Sequence, residues 1–234
     1  MFTMLLGKED ACGALGIRAG ACSNGRPTPT AARHGRGFID YNAVSVHLVP
    51  QIQKEMAMGE IIAHVRSLNL SHKKGQRKLP ASPDEAQEVR EQWGIANDAH
   101  SGDWHRQVSI LAWESIVRAQ EHGLDVNEGD FAENFTTEGY EIMTLPMGTQ
   151  LRIGDDVLVE ISQIGKVCHA RCAIYYLSGD CIFPREGIFG VVLQGGLVRA
   201  GDHIELVKLG DGTCHFSPKS AIDEVEAARA AGTL

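Results

Sequence analysis

The chain has no apolar run approaching the roughly 18 residues that a membrane-spanning helix needs, so no membrane partner is expected. It also lacks a positive balance: the formal charge is -8 and the pI near 5.7. That excludes a general nucleic-acid binder, because neutralising phosphates takes a net basic face. Six cysteines are present, but none form the paired Cys-x2-Cys knuckles of common zinc modules. The first residues, MFTMLLGKEDACG, place no basic stretch before their short apolar run and meet acidic residues at once, which makes a poor secretory signal. The thiols are therefore expected to be cytosolic and reduced rather than a disulfide framework, and the protein cytoplasmic. No flavin, nicotinamide or iron-sulfur motif is evident.

With 234 residues, the chain suits one domain with appendages and is long enough to bury a real core. Residues 1–55 include GIRAGACSNGRPTPTAARHGRGF, rich in Gly, Ala, Arg, Pro and Thr without helical or strand period. Such a composition buries too little apolar surface to order itself. We read it as a disordered extension or a misassigned start upstream of Met56 and Met58, which leaves Cys12 and Cys22 little functional weight. Residues 56–210 are the expected folded domain, and 211–234 a tail that forms a short surface helix or frays.

Within the domain, GEIIAHVRSLNLS reads as a strand, with Ile62, His64 and Arg66 on one side and Ile61, Ala63 and Val65 on the other. HKKGQRKLP follows as a basic loop. Ser82 at an N-cap, Pro83 at the first helical position and Glu85 in capping-box register predict a short helix to about Trp93, ended by Gly94. VSILAWESIVRAQEHG places Trp113, Ile116, Val117 and Gln120 at helical spacing before Gly123. Downstream the period changes to two: Val157, Val159 and Ile161 share one strand face after the turn Gly154-Asp155-Asp156. Gln194-Gly195-Gly196 reads as a hairpin turn and Gly201-Asp202 as another turn. Several short strands between glycine-rich turns, with few short helices, predict a mainly β protein, a closed and mostly antiparallel β-barrel with peripheral helices.

Chemistry centres on VCHARCAIYYLSGDCIFPREGI, residues 167–188, where Cys168, Cys172 and Cys181 are interleaved with His169, Arg171 and Arg185. A thiol among cationic side chains loses its proton more easily, and the thiolate attacks electrophiles, carries sulfur or binds a soft metal. Cys168 is the first candidate for that role. Three thiols that converge also permit a disulfide relay or, with His169, a zinc site, while a cysteine such as Cys172 beside Ala173-Ile174 could equally be a buried apolar residue.

The segments GIANDAHSGDWHRQVSIL and DVNEGDFAENFTTEGYEIMTLPMGTQLRIGDDVLVEISQIGKVCHARC, with CHARCAIYYLSGDCIFPREGIF, resemble the MOSC domain, the module named for the C-terminal part of molybdenum-cofactor sulfurases. The likeness runs from about Gly59 to Val207 and is to the small stand-alone members. It implies an antiparallel β-barrel with a pocket for the molybdenum-pterin cofactor (molybdopterin), and a cysteine, here Cys168, that ligates the metal or carries persulfide sulfur. The family's acidic-His loop falls on Asp98, His100, Asp103 and His105 beside Arg106, and its Glu-Asn pair on Glu133 and Asn134. Pyridoxal phosphate belongs to another domain of the large sulfurases and is not expected on this chain.

General chemistry agrees with that implication. Dithiolene-bound molybdenum is soft and accepts a thiolate, and the cofactor's phosphate calls for cations, which Lys73, Lys74, Arg77, Lys78, Arg106, Arg171 and Arg185 can supply. Cys172 and Cys181 are candidate resolving thiols. Each element also has a structural explanation: Lys73 to Lys78 as a solvated loop, the histidines as loop residues, Glu133 and Asn134 as turn pins. Three functions stay open. The first is sulfur transfer or cofactor handling with synthesis or acceptor enzymes and a sulfur donor as partners. The second is molybdenum-dependent reduction of N-hydroxylated compounds with an electron-donor protein. The third is a non-catalytic carrier whose cysteines are structural or zinc-bound.

Overall fold

The structure, a computed structural model, describes residues 58–171, 175–176, 179 and 181–234. The extension assigned to residues 1–55 and the thiol Cys172 lie outside the described residues. The alternating segments form strands β1 (Glu60–Leu70), β2 (Leu79–Pro80), β3 (Gln87–Arg90), β4 (Gly94–Ile95), β5 (Val108–Ala112), β6 (Phe135–Glu138), β7 (Gln150–Ile153), β8 (Val157–Ile164), β9 (Ile188–Gln194), β10 (Gly196–Val198) and β11 (His203–Lys208). Helices α1 (Trp113–Glu121), α2 (Phe183–Glu186) and α3 (Lys219–Ala230) decorate them. No described helix is long and apolar enough to cross a membrane.

Seven strands close into a barrel in the order β11-β7-β8-β9-β5-β6-β1, and β1 pairs back onto β11. Every pairing in it is antiparallel except β5 with β6, whose ends are joined through α1. Closure leaves no unpaired sheet edge in the ring. The period-two pattern fills the interior: Val157, Val159 and Ile161 point inward from β8 and meet Leu151, Ile153, Ile204, Leu206, Ile110 and Phe135. β5 is buried along its whole length because its other face, with Leu111, is covered by Ile116 and Ala119 of α1 and by Phe131, Phe183 and Phe189. The mainly β, mostly antiparallel barrel expected from the sequence is the one observed.

Three local expectations are corrected. The capping-box segment 82–93 is a turn and strand rather than a helix, with Glu85 N–H donating to Ser82 O at 3.0 Å. Val89 is its buried apolar anchor, and pairing with β4 and β10 outweighs helical propensity over so short a stretch. Gln194-Gly195-Gly196 is not a hairpin turn: β10 leaves β9 and pairs with β3 in a small three-stranded sheet. On β1, Ala63 and Val65 face the core, but Ile61, expected on the same side, is exposed, because the register with β11 shifts between Ile61 and Ala63.

The predicted turn at Gly201-Asp202 is present, with Gly201 at a φ of +90°. Asp202 Oδ2 accepts from Arg199 N–H at 2.9 Å and so closes the turn into β11. Asp202→Ala is expected to lower stability by about 1 kcal/mol, read from the urea midpoint. An unchanged midpoint would show that the turn holds without the side chain.

Candidate functional site

The sequence motif before β5 and the end of β8 meet on the outer face of the barrel wall. His105 Nε2 lies 2.8 Å from Gln163 Oε1, and Gln163 Nε2 donates to Gly165 O at 2.7 Å. The carboxamide oxygen is an acceptor, so His105 Nε2 carries the proton. Ser162 Oγ donates to the His105 carbonyl. Burial lowers the His105 pKa, opposed by the Gln163 bond and reinforced by the charge of Arg106. Its imidazole is therefore a neutral positioning group near pH 7.

Arg106 lies between two aromatic rings, 4.7 Å from the centroid of Trp104 and 5.4 Å from that of Phe189. Lys166 Nζ stands 5.3 Å from Phe183 and 6.0 Å from Phe189, and Lys74 Nζ 5.9 Å from Trp104. Among the described residues none of these three cations has an ion-pair partner within 4.0 Å. Arg106 Nε is moreover buried without a hydrogen-bond acceptor. Burial works against the Arg106 charge, while Glu224 and Cys168 lie close enough to support it. This is an aromatic platform holding positive charge that has no direct ion pair, a suitable seat for an anion.

Beyond Lys166 the chain turns outward to Cys168, whose side chain is exposed. Cys168, Arg171, Cys181 and Arg185 line one cavity of about 290 Å³, closed on another side by Tyr175 and Leu234. The Arg171 guanidinium rests 4.2 Å from the Tyr175 ring. His169 turns away to Glu224 at 3.1 Å. Among the described residues no three His, Cys, Asp or Glu side chains converge as a metal site.

The remaining residues implied by the sequence resemblance lie elsewhere, in a buried polar frame. Lys78 is 1% exposed at its side chain, and its Nζ pairs with Asp98 Oδ1 at 2.8 Å. The Asp98 carboxylate also accepts from the N–H groups of Ser71 and His100 at 3.0 Å each. Glu133 Oε1 accepts from Gly129 N–H at 2.6 Å and from Thr136 Oγ at 2.8 Å. Asn134 Oδ1 accepts from Ser109 N–H at 3.1 Å and from Ser109 Oγ at 3.0 Å, and its Nδ2 donates to Asn69 O. None of Lys78, His100, Glu133 and Asn134 lines the Cys168 cavity. Lys73 and Arg77 line a separate hollow of about 490 Å³.

Sequence reasoning passed over Trp104, Gln163, Lys166 and Phe189 as site residues. Gln163 carried a signal: it is an amide on a strand whose Val157, Val159 and Ile161 mark it for burial, where an amide needs partners. The stacking of Trp104 on Arg106 had no local signal, because it depends on how the loop before β5 folds back.

A comparison with curated proteins gave no match. Among solved structures, a hypothetical protein has a TM-score of 0.55 at 17% identity, over 74% of this chain and 92% of its own. The YuaD protein from Bacillus subtilis has a TM-score of 0.53 at 16% identity, over 63% of this chain and 97% of its own. YiiM from Escherichia coli has a TM-score of 0.52 at 17% identity, over 73% of this chain and 94% of its own. At these identities the likeness is one of fold. The model of the MOSC domain matches residues 97–205, a span that runs from the loop before His105 through Cys168 to β11. Residues 97–205 are thus similar to the MOSC domain, in line with the resemblance carried by the sequence motifs.

Proposed function

We propose that this protein binds the molybdenum-pterin cofactor, or a precursor of it, at the Cys168 cavity and takes part in cofactor metabolism. The observation that carries this reading is the exposed Cys168 thiol opening into a cavity shared with Arg171 and Arg185, with Arg106 within electrostatic reach. The residues suit the ligand. A phosphate-bearing, sulfur-rich anion needs guanidinium forks, an aromatic platform and a soft donor, and the buried, unpartnered Nε of Arg106 marks a donor without an acceptor.

When bound, the group supplies a dithiolene-held metal that takes a thiolate as an additional soft ligand. Arg171 and Arg185 would hold the phosphate, and Arg106 and Lys166 would balance its remaining charge. His105, fixed through Gln163 to the Gly165 carbonyl, would keep the Arg106 loop against the segment that leads to Cys168. Cys168 would meet the metal or carry sulfur to it. The second thiol in the same cavity favours the carrier role, since a ligand needs no neighbour of its own kind.

The test is metal and pterin analysis of protein purified from its own host. Wild type is expected to retain molybdenum and pterin together, and Cys168→Ser to lose on the order of tenfold or more of that content. A variant that keeps full metal and pterin content and full sulfur loading overturns the assignment of Cys168.

A further inference from the structure

The segment that carries Cys168 is a loop with a closed neck. Gly165 N–H donates to Gly187 O at 2.7 Å and Lys166 N–H to Pro184 O at 3.0 Å, so the chain leaving β8 and the chain entering β9 are bonded to each other. The neck has no slack. Gly165 has a φ of +76° and a Cβ there would come 2.7 Å from Pro184 O, while a Cβ on Gly187 would come 2.6 Å from the Phe183 ring. Cys168 follows Lys166 by two residues on one side, and Cys181 precedes Pro184 by three on the other. Spacers that short, at about 3.5 Å per residue or less, keep both thiols close to the neck. Both line the one cavity, and neither is in a disulfide. Cys214, by contrast, donates to Glu160 Oε1 at 3.2 Å and is not part of that cavity.

From this placement we infer that Cys181 is a resolving thiol, which clears sulfur from a Cys168 persulfide as hydrosulfide when no acceptor takes it. The inference rests on the carrier form of the function proposed above. Cys181 gives its proton to solvent and its sulfur attacks Sγ of Cys168. A bond forms between the two Sγ atoms while the bond from Cys168 Sγ to the terminal sulfur breaks. That sulfur leaves with the electron pair as hydrosulfide. The persulfide is itself the oxidant, so no other is needed, and a dithiol reductant returns both cysteines to thiols by becoming a disulfide. The neck raises the effective concentration of one thiol at the other, which makes the step intramolecular.

The experiment treats the full chain with inorganic polysulfide, removes the excess, and follows peptide masses and released sulfide over time. Wild type is expected to gain one sulfur on Cys168 and then convert to a Cys168–Cys181 cross-link, with one hydrosulfide released per cross-link. Cys181→Ser and Cys181→Ala should both hold the added sulfur at least about tenfold longer, and Cys172→Ser should behave as wild type. Equal lifetimes in wild type and both Cys181 variants, or a cross-link mapping to Cys172, overturn the inference while leaving the carrier reading in place. No added sulfur on Cys168 in any of the proteins overturns the carrier reading and this inference with it.

Discussion

Asp98→Ala is expected to destabilise the fold by about 3–5 kcal/mol, because it leaves the Lys78 ammonium buried with no counter-charge. The Lys78 and Asp98 side chains are 1% and 0% exposed and 2.8 Å apart. Burial works against the Asp98 carboxylate, but His100, the Lys78 charge and the Ser71 N–H outweigh it and hold its pKa well below the usual carboxylate range. A depressed acid contributes stability that is present above its unfolded pKa and is lost as pH falls through the folded one, so the pair should persist into strongly acidic buffer. The double variant Lys78→Met with Asp98→Leu removes the stranded charge and should recover part of the loss, the remainder being the cost of the Ser71 and His100 N–H groups left without their acceptor. Urea unfolding at pH 7 measures both. A single variant within about 1 kcal/mol of wild type would mean that Lys78 reaches water when its partner is gone.

The reason this pair matters to the site is positional. Asp98 fixes the start of the loop that carries Trp104, His105 and Arg106, since it accepts from His100 N–H, and His100 O in turn accepts from Trp104 Nε1 at 2.9 Å. The cation platform thus hangs from a buried ion pair on one side and from Gln163 on the other. Loss of Asp98 should loosen Arg106 even where the barrel survives.

Much of the fold was readable in the sequence because strands such as β8 carry their core residues at every second position, as Val157, Val159 and Ile161 do, and periodicity of two is a local property. Segment 82–93 was misread because its capping residues are local while one of its two strand partners, β10, lies more than a hundred residues away. The site divides in the same way. Cys168, Cys181, Arg171 and Arg185 are near one another in sequence, so their common cavity could be anticipated. Lys78 looked like one more cation of a solvated loop, and only the fold brings Asp98 to it. Gln163 and Phe189 gain their roles from the β8–β9 pairing, which places them opposite each other.

Glu133→Gln is expected to flatten the pH dependence of stability between about pH 4.5 and 7. Glu133 is fully buried, and burial raises its pKa from 4.5 to about 7 against the Gly129 N–H, the Thr136 hydroxyl and the Lys78 charge. In that window the folded protein holds a proton that the unfolded chain has released, so the contribution is fully present below pH 4.5 and is lost as pH rises through about 7. The span is roughly 3 kcal/mol for a shift of this size in a buried group. Glutamine keeps the oxygen that accepts from Gly129 and Thr136. Its amide group takes the place of Glu133 Oε2, which has no partner, so that cost is common to the variant and the protonated acid. The variant should therefore match wild type near pH 4.5 and exceed it at pH 8. Urea midpoints across this range decide the matter: parallel profiles for the two proteins would show that Glu133 is ionised throughout and that Lys78 serves both Asp98 and Glu133. A flattened profile would show that Lys78 is committed to Asp98, and that Glu133 pins its loop as a neutral acid, held beneath the wall that carries the site.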